Sequence, residues 1–368
     1  MKIGTITYWW TQDNYGQVLQ CFALIKFLRS MGHNAFLIKN LQPASKRSLG
    51  HMAKVGLKCI FNPDYRRSIL KWKRLGKISA AEAKAHPRGF DDFRRKYMPS
   101  TEMEYTQHHL LENPPQADAY VCGSDQIWCA PNPVYFLQFG PQSSLRIAYA
   151  PSMGGMRPQG KAREAMIAYL RRFDFLSSRE QSGVGALHEM GFSEATLQPD
   201  PTLLLPVEVY RDMEVKPQPA ERPYLLLYLL GNETDVEVGE VFSFAECQGL
   251  EVRYVASQGR VDEFPKLYPT VEEWLGLIDG ASYVITNSFH GTVFCLQFNT
   301  PFIVLPVKGV IARMNNRIYD LLGKFSLSER IYQGSLERLF EPVDFRTFNA
   351  TRVKEAENVS SIFSNLLK

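Results

Sequence analysis

A histidine at a strand-to-helix junction is the residue best suited to chemistry in this sequence of 368 residues. The segment Ile285–Thr292 reads ITNSFHGT: a strand pattern ends near Thr286, an asparagine and a serine can cap a helix, and the helix begins near Gly291. His290 then lies at a helix N-terminus, where free backbone N–H groups and the helix dipole favour an anion. Because imidazole exchanges protons near neutral pH, the segment indicates either acid–base catalysis beside an anionic ligand or a capped turn with an incidental histidine.

Three other turns carry residues suited to ligand binding. Ser177–Glu180 is again a strand-to-helix transition, and its Arg179 can hold a carboxylate or phosphate through two N–H groups or form a surface salt bridge. Gly123–Trp128 (GSDQIW) offers an aspartate and a glutamine for sugar hydroxyls and a tryptophan for stacking, or else an Asx-turn with a core tryptophan. Asp13–Gln17 (DNYGQ) is either a helix cap or a loop that binds an anion and an acceptor. The sequence has no GxGxxG or Walker A pattern, which argues against NAD or ATP.

The regions between these turns alternate between strand and helix patterns. An apolar-rich strand over residues 2–10 is followed by the spacing of an amphipathic helix from Val18 to Met31, and residues 35–38 form the next strand. Such βαβ units build parallel sheets. Residues 1–205 therefore form a predicted N-terminal Rossmann-like domain, which is completed by strands at 119–122, 146–150 and 173–177 and by helices at 160–171 and 180–190.

A proline-rich crossing after Asp200-Pro201-Thr202 separates a second domain. We predict an α/β fold of two doubly wound, Rossmann-like domains that face each other across a cleft, with ligands at the carboxyl ends of the strands. The C-terminal domain is expected over residues 206–350, beginning with a buried strand over Tyr224–Leu230 and including a helix at 291–298 that follows the histidine junction. After an irregular stretch, a final helix at about 353–367, within residues 351–368, is expected to pack back on the N-terminal domain.

Composition places the chain among ordinary globular proteins, with 45% hydrophobic and 22% charged residues. The longest apolar runs are far shorter than the ~18 residues of a spanning helix, and the N-terminus reads as a strand rather than a signal peptide. We therefore expect a soluble, cytoplasmic protein. Its six cysteines are scattered without a CxxC pair, so we expect neither disulfides nor structural zinc.

Positive charge is concentrated in one segment, which we call the basic insertion. Residues 43–97 carry 15 lysines and arginines against 4 acidic residues, whereas the formal charge of the whole chain is +4. Apolar residues from Ile60 to Ile78 recur among the basic ones at near-helical spacing. The pattern fits peripheral binding to an anionic membrane surface or acceptor, and equally a helix packed on its own domain. We do not expect nucleic acid as a partner, because no recognised binding motif accompanies the charge.

Five motifs occur in the order found in the polysaccharide pyruvyl transferase family, and the chain resembles that family over roughly residues 1–325. The motifs are Asp13-Asn14-Tyr15-Gly16 with Val18-Leu19-Gln20, Gly123-Ser124-Asp125-Gln126-Ile127-Trp128, Ser178-Arg179-Glu180, Asp200-Pro201-Thr202 and Ser288-Phe289-His290-Gly291. The resemblance implies a two-domain fold similar to the GT-B glycosyltransferases, without a nucleotide-sugar donor. It also implies phosphoenolpyruvate as donor and a sugar of a cell-surface polysaccharide (exopolysaccharide or capsule), or its lipid-linked precursor, as acceptor. The products would be a cyclic pyruvate ketal and phosphate.

The resemblance also implies roles for residues of this chain. The family's proposed general acid falls on His290, and its proposed phosphoenolpyruvate ligand falls on Arg179. Some members have an arginine two residues before the histidine, where this chain has Ser288; Arg317 or Lys308 is expected to supply that cation. The expected donor-binding residues are Arg179, Asn287, Ser288, Gly291, Thr292 and Arg317. The expected acceptor-binding residues are Asn14, Tyr15, Gly16, Asp125, Gln126 and Trp128.

The implied reaction suits these residue types. A proton added to C3 of phosphoenolpyruvate turns C2 into an electrophile that a sugar hydroxyl attacks, and a histidine is suited to deliver that proton near neutral pH. We therefore expect a transferase with phosphoenolpyruvate as a substrate, no cofactor and no metal. Two alternatives remain open at this point: a GT-B glycosyltransferase that uses a nucleotide sugar, and an inactive protein that binds a glycan or phosphate.

Overall fold

The structure is a computed structural model that describes residues 1–41, 62–219, 221–231, 233–257, 260–308, 312 and 315–368. Its N-terminal domain contains a parallel sheet. The strands of this sheet are β1 (Lys2–Ile6), β2 (Asn34–Leu37), β3 (Ala119–Cys122), β4 (Leu145–Ala148), β5 (Phe175–Ser178) and β6 (Thr196–Leu197). Their order across the sheet is β2-β1-β3-β4-β5-β6. The carboxyl ends of β3 and β5 lead directly into the motifs that contain Ser124 and Arg179.

The C-terminal domain contains a second parallel sheet. Its strands are β7 (Tyr224–Tyr228), β8 (Glu251–Tyr254), β9 (Tyr283–Thr286) and β10 (Phe302–Val304), in the order β10-β9-β7-β8. All five residues of β7 are buried, as expected for a parallel strand covered on both faces. Two parallel α/β domains are the fold class predicted from the sequence, and the prediction is confirmed.

Helices connect the strands and cover both sheets. They are α1 (Tyr15–Ser30), α2 (Pro63–Ala85), α3 (Phe90–Tyr97), α4 (Gln107–Glu112), α5 (Gly160–Leu170), α6 (Gln181–Glu189), α7 (Val207–Arg211), α8 (Val238–Cys247), α9 (Val271–Asp279), α10 (Phe289–Phe298), α11 (Asn316–Lys324) and α12 (Arg346–Leu366). Every residue of α10 is buried, and so is most of α1. Helices that are apolar on all sides belong inside a core, and both contribute to one hydrophobic cluster that continues through both domains.

Direct contacts join the two domains near the start of α1. The ring of Tyr15 stacks on Trp274 of α9 at 5.0 Å between centroids, and its hydroxyl donates to the carbonyl of Pro269. The C-terminal helix α12 contacts the N-terminal domain, where the ring of Phe363 lies 6.0 Å from Phe27 and 5.5 Å from Tyr149. The motif turns of the two domains therefore lie close together.

The basic insertion is helical where the structure describes it. Helices α2 and α3 lie within it, and residues 42–61 fall outside the described part of the chain. The end of α2 contacts the C-terminal domain, because the ring of His86 stacks on Tyr268 at 3.9 Å and Arg88 Nη1 donates to the carbonyl of Ala256 at 3.0 Å. Among the described residues, no helix is long and apolar enough to span a membrane.

Several element boundaries differ from those predicted. The helix that carries the histidine begins at Phe289 rather than at 291, because Ser288 supplies the cap and His290 already lies in the first turn. The final helix begins at Arg346, well before the predicted residue 353. Helix α11 was not predicted at all, since the stretch before the final helix was read as irregular.

Candidate active site

His290 lies in the first turn of α10, directly after the carboxyl end of β9. The Ser288 side chain accepts from the backbone N–H of Gly291 at 3.2 Å and so caps the helix. The His290 side chain is 9% exposed, and its Nε2 lies 3.5 Å from Oδ2 of Asp200. This distance lies within ion-pair range but the contact lacks hydrogen-bond geometry, so Nε2 has no hydrogen-bond partner within the described residues.

Arg179 lies at the carboxyl end of β5 and is almost completely buried. Its Nη1 donates to Asp200 Oδ2 at 2.7 Å and to Ser124 Oγ at 3.3 Å. Its Nε lies 3.9 Å from the carboxylate of Glu180, which instead accepts a short hydrogen bond from Ser152. Nε and Nη2 therefore have no hydrogen-bond partner in the described part of the chain. One edge of the guanidinium is held by protein, and the N–H groups of the other edge are buried without a hydrogen-bond acceptor among the described residues.

Asp200 is the carboxylate that Arg179 and His290 share. Its Oδ1 accepts from both the backbone N–H and the hydroxyl of Thr202, at 3.0 and 2.6 Å. Burial alone would raise the pKa of Asp200. The positive charges of His290 and Arg179 outweigh burial and hold the pKa far below its ordinary value. Asp200 is therefore ionised, with Arg179 and His290 beside it.

A second arginine lies close to Arg179. Arg317, in the first turn of α11, has its guanidinium carbon 5.2 Å from the centre of the Phe289 ring, and that of Arg179 is 4.7 Å from the same ring. Burial first, and then the nearby charge of Arg179, lower the pKa of Arg317 to about 10. Its Nε has no hydrogen-bond partner among the residues that the structure describes. Two arginines thus lie near each other with N–H groups unused, an arrangement that suits an anion.

A narrow crevice adjoins Arg317. Gln126, Glu180, Ser182, Asn316 and Arg317 line it, together with two glycines at 154 and 155. The side-chain amide nitrogen of Gln126 is buried there and finds no partner within the described ranges. The site therefore presents unused N–H donors on three side chains. No cluster of metal-ligating side chains occurs among the described residues.

Comparison with known proteins assigns the chain to a family. The family model described as "Polysaccharide pyruvyl transferase" matches residues 14–309. The chain belongs to the polysaccharide pyruvyl transferase family. The match includes every residue of the five motifs except Asp13. A search of curated proteins finds no match.

The solved structures that are similar to this chain share little sequence identity with it. The UDP-GlcNAc 2-epimerase from Neisseria meningitidis bound to UDP-GlcNAc has 11% identity and a TM-score of 0.44, with 100% of this chain and 99% of that chain covered. The UDP-GlcNAc 2-epimerase from Methanocaldococcus jannaschii has 10% identity and a TM-score of 0.45, with 99% and 100% covered. The glycosyltransferase SnogD from Streptomyces nogalater has 14% identity and a TM-score of 0.42, with 100% and 99% covered.

The residues that the sequence assigned to the donor lie in two groups. Arg179 and Arg317 are near each other, as described, whereas Lys308 is an exposed side chain paired with Asp235. The structure therefore favours Arg317 over Lys308 as the additional cation.

The polar residues before and within α10 have structural partners. The Asn287 side chain bonds both the N–H and the carbonyl of Leu230, Ser288 caps the helix, and the Thr292 hydroxyl donates to the carbonyl of Ser288.

Two residues assigned to the acceptor are corrected by the structure. Tyr15 is fully buried, stacked on Trp274 and with its hydroxyl already bonded. Trp128 is 1% exposed, stacks on Phe136, and donates its indole N–H to the carbonyl of Tyr135. Neither aromatic ring faces the site, so the expectation that they contact a sugar directly is wrong for this structure. Each ring stacks on another aromatic side chain in the core, and this packing keeps it buried.

The remaining acceptor candidates differ in burial and in the groups that they contact. The Asn14 side chain caps α1 by accepting from the backbone N–H of Gln17 at 3.1 Å. Gly16 lies against the imidazole of His290. Asp125 and Gln126 are only partly buried, Gln126 lines the crevice, and Asp125 is close enough to influence the pKa of Arg179 and Arg317. A contact of either residue with the acceptor stays a prediction.

Sequence reasoning missed two members of the site. Asp200 and Ser124 both appeared in recognised motifs, but neither received a role. Ser124 is fully buried, and its hydroxyl donates to Asp200 Oδ2 at 3.1 Å while its backbone N–H donates to Gln20. The Asp-Pro-Thr motif was the available signal for Asp200, since an aspartate before a proline and a threonine commonly caps a turn.

Proposed function

We propose that this protein transfers pyruvate from phosphoenolpyruvate to a sugar of a cell-surface polysaccharide, or of its lipid-linked precursor, and forms a cyclic ketal. One observation carries the proposal. Arg179 and Arg317 approach the same Phe289 ring beside His290, and no described residue accepts a hydrogen bond from Nε or Nη2 of Arg179 or from Nε of Arg317.

Unused donors of this kind favour an anionic ligand with more than one acidic group. A buried donor without a partner costs about 1–3 kcal/mol, and a charged one costs more. Phosphoenolpyruvate carries a carboxylate and a phosphate, so each arginine can receive an anionic group. The Gln126 amide can add a neutral hydrogen bond at the edge of the crevice. His290 contacts Asp200, which also binds Arg179, and this proximity to the proposed donor site supports its role as the acid.

The proposed reaction needs one acid and two hydroxyl groups of the acceptor. His290 donates a proton to C3, and the first hydroxyl adds to the electrophilic C2 and releases its proton. The second hydroxyl then displaces phosphate by cleavage of the bond between C2 and the phosphate-ester oxygen. One of the two hydroxyl protons returns to His290, and the other leaves with phosphate or solvent. The step is redox-neutral and yields a ketal and inorganic phosphate.

The basic insertion supports an anionic acceptor or an anionic membrane surface that presents it. Arg66, Arg67 and Arg74 of α2 are exposed, and each basic residue near an anionic bilayer contributes about 1 kcal/mol of attraction. A lipid diphosphate-linked oligosaccharide would provide negative charge and an interface together. We include this peripheral contact in the proposed function.

Label transfer tests the proposed function. Wild-type protein is incubated with ¹³C₃-phosphoenolpyruvate and lipid-linked glycans, and the acceptor fraction is analysed by mass spectrometry. We expect acid-labile label in the glycan and an equal amount of released phosphate, both absent with His290→Ala. Sugar transfer from a nucleotide sugar, with no label from phosphoenolpyruvate, would contradict the proposal and favour a glycosyltransferase.

A further inference from the structure

One carboxylate oxygen connects catalytic side chains of both domains. Asp200 Oδ2 accepts from Nη1 of Arg179 at 2.7 Å and lies 3.5 Å from Nε2 of His290. Arg179 follows a strand of the N-terminal sheet, whereas His290 lies at the start of α10 in the C-terminal domain. Asp200 is 1% exposed and lies between β6 and the second domain.

The Asp200 carboxylate is oriented without any ligand. Thr202 holds Oδ1 through two hydrogen bonds, at 3.0 and 2.6 Å. The hydroxyl of Ser124 donates to Oδ2 at 3.1 Å, which fixes the second oxygen. A buried carboxylate with donors on both oxygens has little freedom to rotate, so Arg179 and His290, which it contacts, have defined positions as well.

We infer that Asp200 is a positioning residue that holds Arg179 and His290 at the spacing required for pyruvyl transfer. The inference rests on the proposed function. Buried ion pairs stabilise little compared with apolar packing, because desolvation offsets their attraction, so stability alone does not account for the arrangement. Asp200 also contacts only Nη1 of Arg179 and leaves Nε and Nη2 unused for the donor.

A positioning role predicts that a substitution of Asp200 lowers the rate of transfer without lowering the affinity for the donor. Replacement of Asp200 by asparagine removes a negative charge next to the anion site, so binding of an anionic donor should not weaken. The same change releases His290 and Arg179 from their shared partner, so transfer should slow. A misplacement of about 1 Å costs about 10²-fold in rate. A purely structural loss would instead weaken donor binding and rate together.

The test compares Asp200→Asn with Thr202→Val, which keeps the carboxylate but removes the hydroxyl that holds Oδ1. Phosphoenolpyruvate affinity is measured by calorimetry, and transfer is measured by phosphate release. For Asp200→Asn we expect affinity within about 3-fold of wild type or tighter, and a rate about 10²-fold lower. For Thr202→Val we expect unchanged affinity and a smaller loss of rate. A wild-type rate in Asp200→Asn, or a loss of affinity equal to the loss of rate, would overturn the inference.

Asp279 provides the matched control, because it also pairs with two cations, Arg211 and Lys216, on the C-terminal domain. Asp279→Asn should leave both affinity and rate unchanged.

If wild-type protein does not bind phosphoenolpyruvate, the proposed function fails. A double-mutant cycle on the free energy of unfolding, with Asp200→Asn and His290→Ala, then still tests whether Asp200 holds His290 in place. Non-additive effects support the contact between the domains, and additive effects overturn it. The same cycle with Thr202→Val replaces it if Asp200→Asn does not fold.

Discussion

Gly16 lies directly against the imidazole of His290. A Cβ atom at position 16 would lie 2.1 Å from Nδ1 and 2.3 Å from Cγ of the ring, closer than any real contact allows. Gly16 belongs to the first turn of α1 in the N-terminal domain, and His290 belongs to the first turn of α10 in the C-terminal domain. The absence of a side chain at position 16 therefore lets the two helix starts approach closely, with the histidine between them.

We predict that Gly16→Ala disables the site by displacing His290. The added methyl group forces the imidazole or α1 to move, and transfer should fall by about 10²-fold. The control is Gly185→Ala in α6, where no described atom lies within 4 Å of the added Cβ. That variant should remain fully active and gain up to about 1 kcal/mol of stability from helix propensity. Equal activity of the two variants in the phosphate-release assay would contradict the proposed packing role.

His290→Ala should abolish most turnover while leaving donor binding largely intact. Positioned acid–base catalysis contributes roughly 10²–10⁴-fold, so the rate should fall by that factor. His108→Ala is a suitable control, since His108 is exposed and lies near Glu112 on the surface of α4. Rates are compared at saturating phosphoenolpyruvate. A His290→Ala variant with nearly wild-type turnover would rule out this histidine as the acid.

Asp200 should make the stability of the protein sensitive to acid. Its pKa in the folded protein is far below the value of about 3.9 in an unfolded chain, so ionised Asp200 favours folding above that value. As the pH falls below about 4, the unfolded chain takes up the proton first, and this contribution is lost. Urea unfolding of wild type and Asp200→Asn should therefore differ most at neutral pH, and the difference should shrink below about pH 4. A difference that stays constant from pH 7 to pH 3 would contradict the depressed pKa.

The sequence predicts the architecture well because parallel strands and their turns have local signals. The end of strand β9 was predicted at its observed residue, Thr286, and the turn that follows correctly located His290 at a helix start. These features depend on apolar runs, caps and spacing, which neighbouring residues in the chain determine. Helix α11, which carries Arg317, begins at Asn316 without a side-chain cap hydrogen bond, and its segment was read as irregular.

The roles that were misjudged depend on contacts between distant parts of the chain. Tyr15 meets Trp274, and no local pattern shows that a ring in a polar turn packs inward against a ring so far along the sequence. The same holds for Asp200, whose aspartate-proline-threonine turn is visible in the sequence. Its partner Arg179 precedes it in the sequence and its partner His290 follows it, so the three residues meet only when both domains have folded.

Basic residues of α2 should attach the protein to anionic membranes. Neutralisation of Arg66, Arg67, Lys71, Lys73 and Arg74 to glutamine should reduce flotation with anionic liposomes, while activity on a short soluble acceptor survives. Because such attraction is screened over about 8 Å at physiological salt, wild-type binding should weaken steeply as salt rises.

The matched control for α2 neutralises five exposed basic residues elsewhere, which are Lys26, Lys161, Arg346, Lys354 and Lys368. This control should float like the wild type. Equal flotation of wild type and the α2 variant at low salt would contradict membrane binding. A helix packed on its own domain predicts instead that the wild type does not bind liposomes and that Trp72→Ala lowers the melting temperature.

The free edge of Arg179 is central to the proposed donor site. Nη1 is committed to Asp200, so a donor must use Nε and Nη2, and lysine offers no such pair of N–H groups. Arg179→Lys should therefore weaken donor binding nearly as much as Arg179→Ala. Arg211→Lys, which alters an exposed arginine paired with Asp279, should bind like the wild type.

Calorimetric titration of phosphoenolpyruvate into wild type, Arg179→Lys and Arg211→Lys, with uridine diphosphate as the comparison ligand, tests this account most directly. We predict that phosphoenolpyruvate binds the wild type and Arg211→Lys equally, binds Arg179→Lys at least 10-fold more weakly, and that uridine diphosphate does not bind. Binding of uridine diphosphate without phosphoenolpyruvate, or wild-type affinity in Arg179→Lys, would contradict it.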